Sequence, residues 1–598
     1  MNVSEKIIKH LAEHGVEHIF TVSGGGSIFL NDALGKSRRI KYVCCHHEQA
    51  VTMAAESYAR MKNSLGVSLV TTGPGGTNAV TGIAGAWMDS VPTLTISGQV
   101  FLEQTIKGTD LRQLGIQEIN IIDIIRPITK YAVMVERPDD IIFEIEKAIY
   151  IANEGRPGPT WVDIPANIQN SSIRSSGYKV YQKNKSNNIN QKNISGKVIG
   201  NVISAIKKAK KPLIYVGRGI QIANAEDDLF DFVQKTGIPF VTSWNASELV
   251  DSNHPHYVGR PGMFGQRHAN FIIQNADLII AIGARLSIPQ VSYNFNDFGR
   301  NALKIMVDID KAELDKKTLD IDIKINADAG SFLKKINNFS DSINHDYTNW
   351  LGFCKNLEKK YPLVLKEWKK EKAPVNSYNF IGFLSEKLKE DDAIVTDMGI
   401  AFTGTHQSFR VKKGQRFYSN SGFASMGWGL PAAIGACFGN NNKRVICIAG
   451  EGGFQMTSQE LATVIHYKLP IKIFIYNNGG YLTIKQTQEI NFNGRLMGCN
   501  DESGLSFPDY EKLGKAYDMK SICIENQVNL SKRIDEILEY DGPVLCELIM
   551  DQNQPNIPKS APKKLSDGSI VRTNFEDLFP FLNEEEIKSN MLTQKDKG

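Results

Sequence analysis

A chain of 598 residues with a 41% apolar fraction has the length for roughly four domains and the material for several buried cores. Its formal charge of +4 is small for that length, and Lys and Arg are spread along the chain, so nucleic acid is not an expected partner. The eight cysteines carry no C-x-x-C pairing, which fits reduced thiols better than a disulfide framework or a zinc site. No uninterrupted apolar run reaches the roughly 18 residues that a membrane span needs, so no membrane partner is expected.

The chain begins MNVSEKIIKHLAEHGVEHIF, where Ile7, Ile8, Leu11, Val16, Ile19 and Phe20 recur at helical spacing with charges between them. That predicts an amphipathic helix rather than a signal peptide, and a cytoplasmic protein. Next, strand-like KYVCC leads into Cys45-His46-His47-Glu48-Gln49-Ala50 and the helical AVTMAAESYARM. A glutamate at a helix start is as readily a favourable first-turn charge as a functional group. Val67 to Thr72 is followed by Gly73-Pro74-Gly75-Gly76-Thr77-Asn78 and a helix, which reads as a tight turn or as a phosphate contact. This first block, 1–170, closes with GRPGPTWVDIP. The Ser-, Asn- and Lys-rich stretch 171–193 predicts a linker.

A second block, 194–345, carries the strand-like runs PLIYVG, PFVTS, LIIAIGAR and IMVDID between helical patterns. Residues 346–372 predict a connecting helix. The third block, 373–555, starts with AIVTDMG and ends with PVLCELIMD. Residues 556–598 read as a tail with an amphipathic patch from Phe575 to Phe581. The fold class is α/β, with three parallel-sheet domains.

Within the third block, RVICIA runs into Gly450-Glu451-Gly452, then Thr457-Ser458-Gln459-Glu460 in a capping-box pattern, then a second apolar run ending in Asn477-Asn478-Gly479-Gly480. This is one strand-helix-strand unit with small and polar residues at the carboxyl ends of both strands, where open α/β sheets bind ligands. A carboxylate and an amide there can share a hard divalent cation, and the glycines let backbone approach a phosphate. The unit reads as a Mg²⁺-diphosphate site.

These segments, in this order, resemble the thiamine diphosphate enzymes of the acetolactate synthase group over nearly the whole chain. The strongest matches are His-Glu-Gln around Glu48, GPGGTN at Gly73, GRPGPTWVDIP at Gly155, SMGWGLPAAIGA at Ser425, and GEGGFQM followed by Asn-Asn at the family's spacing. The resemblance implies a catalytic Glu48 that hydrogen-bonds the aminopyrimidine of the cofactor, with Gln117 at the active site. It implies a divalent ion held by Glu451, Asn478 and the Gly480 carbonyl. Met426 would support the bent cofactor, and the Ala424 carbonyl would accept from its amino group. Gly73, Gly75, Asn78, Gly450, Gly452, Gly453, Tyr481 and Leu482 complete the expected cofactor contacts. In the central domain, Arg285 and Asp308 are the residues implied for FAD; ADP or no nucleotide are the alternatives, with structural FAD favoured. Glu48 and the diphosphate site would meet from different subunits, so a homodimer or homotetramer is expected.

Three departures bear on the reaction. Glu451 stands where the family has Asp. Thr487 replaces a Trp nine residues past the metal-binding Asn, which opens the acceptor pocket and adds a hydroxyl. After Ala284-Arg285, the family's second Arg is replaced by Pro289, which removes a partner for an acceptor carboxylate. The segment from Gly108 to Glu118 is expanded, and Arg112 and Gln113, with Gly25, Thr483 and Thr487, are the expected substrate contacts. The implied reaction is decarboxylation of a 2-oxo acid such as pyruvate, with transfer of the two-carbon unit to an acceptor carbonyl. A keto-deoxy nucleotide sugar, as in surface-polysaccharide pathways, is one such acceptor. The alternatives are acetolactate synthesis proper, simple decarboxylation, an FAD-dependent oxidase, and a non-catalytic protein on the same fold.

Overall fold

The computed structural model describes residues 1–173, 179–182, 194–564 and 569–592, so most of the expected linker lies outside the described residues. It contains three wholly parallel sheets. The first sheet has β1 (His18–Thr21), β2 (Lys41–Cys44), β3 (Gly66–Val70), β4 (Thr93–Gln99), β5 (Tyr131–Met134) and β6 (Pro159–Pro165), in the order 2-1-3-4-6-5. The second has β7 (Pro212–Val216), β8 (Phe240–Thr242), β9 (Leu278–Ile282), β10 (Leu303–Asp308) and β11 (Ile323–Asn326), in the order 11-10-9-7-8. The third has β12 (Ala393–Thr396), β13 (Arg416–Ser419), β14 (Val445–Gly450), β15 (Ile471–Asn477), β16 (Lys520–Ile524) and β17 (Val544–Ile549), in the order 13-12-14-15-17-16. Strands such as β7 and β9 are buried at every position, which is why their sequences read as unbroken apolar runs rather than alternations.

In each sheet the strand order reverses direction once near the start of the block: between β1 and β3, between β7 and β9, and between β12 and β14. Each reversal opens a crevice beyond the strand carboxyl ends. All three crevices carry glycines.

The first and third domains share one apolar core, which runs from Val51, Met53 and Tyr58 to Trp428, Ile434 and Cys447. Its seam is the helix Glu48–Lys62 against the helix Gly429–Gly439. Close approach requires Gly435, where a Cβ would lie 2.0 Å from the Ala54 carbonyl oxygen. Ser57 Oγ spans the same seam, donating to the Ala432 carbonyl at 2.7 Å.

The amphipathic patch of the tail is anchored on the central domain. Phe575 and Leu578 are buried, Asn270 donates to the Phe575 carbonyl, and Glu576 meets Arg300 at 2.7 Å and Gln274 at 2.9 Å. At the other end of the chain, the amphipathic segment forms the helix Val3–Glu13 and buries Ile7, Ile8 and Leu11. No helix among the described residues is long and apolar enough to cross a membrane.

Candidate functional site

The crevice between β12 and β14 is built around two buried carboxylates. β14 delivers Glu451 into the first turn of a short helix, where it is 1% exposed. Its Oε1 accepts from the backbone N–H groups of Asn478 at 2.9 Å and Gly480 at 2.8 Å. Burial pushes the Glu451 carboxyl up to about 7, against the opposing pull of those N–H groups. The Asn478 amide lies beside both oxygens: its NH₂ donates to the Gly480 carbonyl at 2.8 Å and to Glu451 Oε1 at 3.2 Å. Turned over, its own oxygen would join them, and a carboxylate, an amide oxygen and a backbone carbonyl are the donor types a hard cation takes. The longer side chain of Glu451 is therefore accommodated, and the donor set fits a divalent ion. Among the described residues no cluster of three or more His, Cys, Asp or Glu side chains has the arrangement of a metal site, so two of the three oxygens come from an amide and the backbone.

The second carboxylate, Asp397, follows β12 and accepts from the N–H groups of Met398, Gly427 and Gly429. Burial pushes it up to about 6. It presses on Gly453, where a Cβ would lie 2.7 Å from a carboxylate oxygen, while a Cβ at Gly452 would strike the Tyr481 ring at 2.0 Å. These glycines are spaces already taken by neighbours, and Met426 reaches the same point from the other side, 3.3 Å from the Gly452 Cβ position. Gly450 has open space beside it. Leu482 is buried and its N–H bonds the Gly480 carbonyl at 3.0 Å. Ala424 is exposed, with a left-handed φ of 59° that turns the Ser421–Gly427 loop.

Thr457 does not cap the following helix. Its hydroxyl donates to the Gly427 carbonyl, and Glu460 instead accepts from the N–H groups of His46 and His47. A carboxylate at the start of the longer helix Glu48–Lys62 satisfies two orphan donors at once, and this outcompetes the local capping box.

In the N-terminal crevice, Glu48 opens that helix and is 8% exposed. It is not without partners, since Asn78 Nδ2 donates to its Oε2 at 3.0 Å. Gly75 lies beside it, where a Cβ would stand 3.5 Å from Oε1. Only Gly73 of the glycine loop remains outside the helix Pro74–Met88, because Pro74 suits the first helical position. Gln117, also left-handed at φ 62°, places its carbonyl over Gly73. Gly25 is exposed beside Gly24 and Gly26, which abut Thr71 and Thr72.

The polar residues expected at the substrate are partly occupied. Gln113 donates to the Glu118 carbonyl, and the buried Glu118 carboxylate accepts from Ile106 and Leu114, so it ties the expanded segment together. Arg112 is exposed. Thr487 donates its hydroxyl to the Thr483 carbonyl at 2.8 Å, leaving the oxygen able only to accept. Glu460 joins the two halves within the chain at His46 and His47, while the Glu48 and Glu451 carboxylates bond separate partners, Asn78 for one and the Asn478 and Gly480 N–H groups for the other.

The central crevice, of about 660 Å³, lies between β7 and β9. Gly217 and Gly219 face Gly283 so closely that a Cβ on Gly217 would lie 2.0 Å from the Gly283 carbonyl oxygen. Arg285 and Asp308 both line it. Arg285 has φ 64° and is held by Glu313 at 2.9 Å, while burial pushes Asp308 up to about 6.

Models of thiamine pyrophosphate enzymes match the chain in three places: the N-terminal TPP binding domain over residues 1–124, the central domain over 199–336, and the C-terminal TPP binding domain over 397–548. The acetolactate synthase large subunit of Cyanidium caldarium is 34% identical over 573 residues, covering 93% of this chain and 94% of the relative. That of Lactococcus lactis is 32% identical, covering 96% of each, and that of Pyropia yezoensis is 32% identical, covering 93% of each. The chain belongs to the thiamine pyrophosphate enzymes. It is a thiamine diphosphate-dependent enzyme of acetolactate synthase-like type.

Within this thiamine pyrophosphate enzyme, sequence reasoning missed Asp397 and Tyr510 and gave Glu460 only a local capping role. Tyr510 is buried and donates to the Glu451 carbonyl at 3.0 Å. The one available signal was Asp397 at the end of AIVTDMG, an acid at a strand's carboxyl end. It also missed a buried network under the Ala424 loop. Arg60 binds Asp89 at 2.7 Å, Glu56 at 3.1 Å and the Ser419 carbonyl, and Asp89 in turn accepts from Gly422 and Asn245. Burial pushes the Glu56 carboxyl up, against the pull of Arg60.

Proposed function

We propose that the enzyme decarboxylates a 2-oxo acid of the pyruvate type and joins the two-carbon unit to an acceptor carbonyl larger than a second pyruvate. The observation that carries the carboligase reading is the full-length similarity to acetolactate synthase large subunits, with Glu48 and the Glu451 cluster in place. Glu451, Asn478 and the Gly480 carbonyl would hold Mg²⁺ against the diphosphate, and the open space at Gly450 would receive the cofactor beside them. Bound thiamine diphosphate supplies the electron sink for decarboxylation. Glu48, oriented by Asn78, holds a proton position at the pyrimidine, and the buried walls exclude water.

Two features favour a bulky acceptor. Thr487 leaves open the space an indole would fill, and Pro289 offers no charge to a carboxylate. A keto-deoxy sugar suits both. The central crevice is proposed to hold FAD in a structural role, with Arg285 and Asp308 at its rim. A homodimer is the proposed smallest competent unit, and the apolar side chains left exposed beside the two half-sites, Ile116 at 88% and Met456 at 48%, support it.

The test is product analysis from labelled pyruvate with Mg²⁺, thiamine diphosphate and a panel of ketones and keto sugars. Label should appear in a larger product joined by a new carbon–carbon bond, with a keto sugar preferred over pyruvate as acceptor. Acetaldehyde as the product whatever the acceptor would overturn carboligation, and acetolactate as the preferred product would overturn the bulky acceptor.

A further inference from the structure

A second cavity, of about 550 Å³, lies where the central domain meets the C-terminal domain, away from the crevices described above. Its charged lining is mostly basic: Lys355, Lys359, Lys369 and Arg410, against the two acids Glu358 and Glu386. Lys355 pairs with Glu358 at 3.0 Å, and Arg410 donates to Asn253 Oδ1 at 2.8 Å, whereas Lys359 and Lys369 have no ion-pair partner among the described residues. Leu363, Val364 and Phe383 add apolar surface to the same lining.

Two buried groups next to this cavity lack partners. Ser408, which lines it, is 2% exposed and its hydroxyl makes no hydrogen bond. Arg260, 2% exposed, bonds the carbonyl of Phe409, the residue after Ser408, through its guanidinium and leaves Nε and Nη1 unpartnered. No carboxylate neutralises Arg260 among the described residues. A buried hydroxyl without a partner and an uncompensated buried cation are costly unless something meets them. An anion in the cavity would supply both the acceptor and the opposing charge.

We propose that this cavity binds a nucleoside polyphosphate, with the phosphates on Ser408, Arg410 and the lysines and the base against Leu363, Val364 and Phe383. The volume is far beyond that of a lone phosphate, and the apolar surface has no use for one. The occupant would bridge the two domains. It would also touch the last residue of the helix Ile400–Ser408, which starts beside Asp397 at the cofactor crevice, so it is placed to tune that site.

The test is equilibrium dialysis of labelled ADP with the full chain saturated with thiamine diphosphate, Mg²⁺ and FAD, which occupies the other nucleotide-sized crevice. ADP should bind one per chain, at least tenfold more tightly than adenosine or inorganic phosphate. Lys359→Glu and Lys369→Glu, both on exposed positions, should each weaken it at least tenfold, and Arg285→Ala in the central crevice should leave it unchanged. Absence of binding, equal binding of adenosine or phosphate, or loss with Arg285→Ala but not with the lysine variants would overturn the proposal. The readout is binding, so it stands apart from the reaction proposed above.

Discussion

Glu48→Gln should lower decarboxylation by roughly 10³-fold while leaving thiamine diphosphate content unchanged. Asn78 decides this outcome. Its Nδ2 donates to Glu48 Oε2 at 3.0 Å, so a glutamine at this position must turn its amide oxygen toward Asn78. The NH₂ then faces the site, where the carboxylate had offered an acceptor. The variant keeps size and hydrogen-bond count but presents a donor instead of a negative acceptor to the cofactor's ring. Because the glutamate is nearly buried, water cannot substitute for the lost group. Single-turnover release of CO₂, with bound cofactor measured by thiochrome fluorescence, reads both quantities. Turnover within about threefold of the parent enzyme would remove Glu48 from its proposed catalytic role.

The largest effect on stability is expected from Arg60→Met. Arg60 is side-chain buried and binds Asp89, Glu56 and the Ser419 carbonyl, so removing it leaves two carboxylates facing each other without their cation. Breaking a buried pair on one side costs about 3–5 kcal/mol, far more than deleting an exposed one. The network joins all three domains, since Asp89 also accepts from Asn245 of the central domain and from Gly422 of the C-terminal domain. The loss should therefore appear as earlier unfolding of the shared core, with the Ala424–Met426 loop disturbed and cofactor affinity reduced. Adding Glu56→Gln should recover part of the stability by removing one of the opposed charges. Urea unfolding followed by fluorescence and by cofactor release measures this; a shift worth less than about 1 kcal/mol would mean that the charges are solvated or otherwise balanced.

The parts of the site that could be read in the sequence are those made by local chain. The glycines at 73, 75, 450, 452 and 453 and the Asn477-Asn478-Gly479-Gly480 turn declare themselves because a strand end, a tight turn and a polar group must fall within a few residues of one another. The parallel sheets were legible for the same reason, from apolar runs spaced by helical patterns. What stayed hidden depends on partners far apart in the chain. Arg60 meets the Ser419 carbonyl across 359 positions, and Glu460 meets the His46 N–H across 414. No periodicity records such pairings. Glu460 shows the cost of reading only locally: the Thr457–Glu460 pattern is a good capping box, but the start of the helix Glu48–Lys62 offered its carboxylate two donors instead of one. The blocks also looked independent in sequence, whereas the first and third share a core, because the glycines that let their helices touch read as ordinary small residues.

One reaction is central to the proposed function: loss of CO₂ from a 2-oxo acid at a site proposed to combine Glu48 and the Glu451 cluster. Its most direct test is the release of labelled CO₂ from carboxyl-labelled pyruvate by protein stripped of divalent ions and thiamine diphosphate, then restored with each alone and with both. Release only when both are returned, and its loss in Glu48→Gln, is the predicted result. Protein that takes up thiamine diphosphate and Mg²⁺ but releases no CO₂ from pyruvate or any other 2-oxo acid would contradict it, as would release that needs neither.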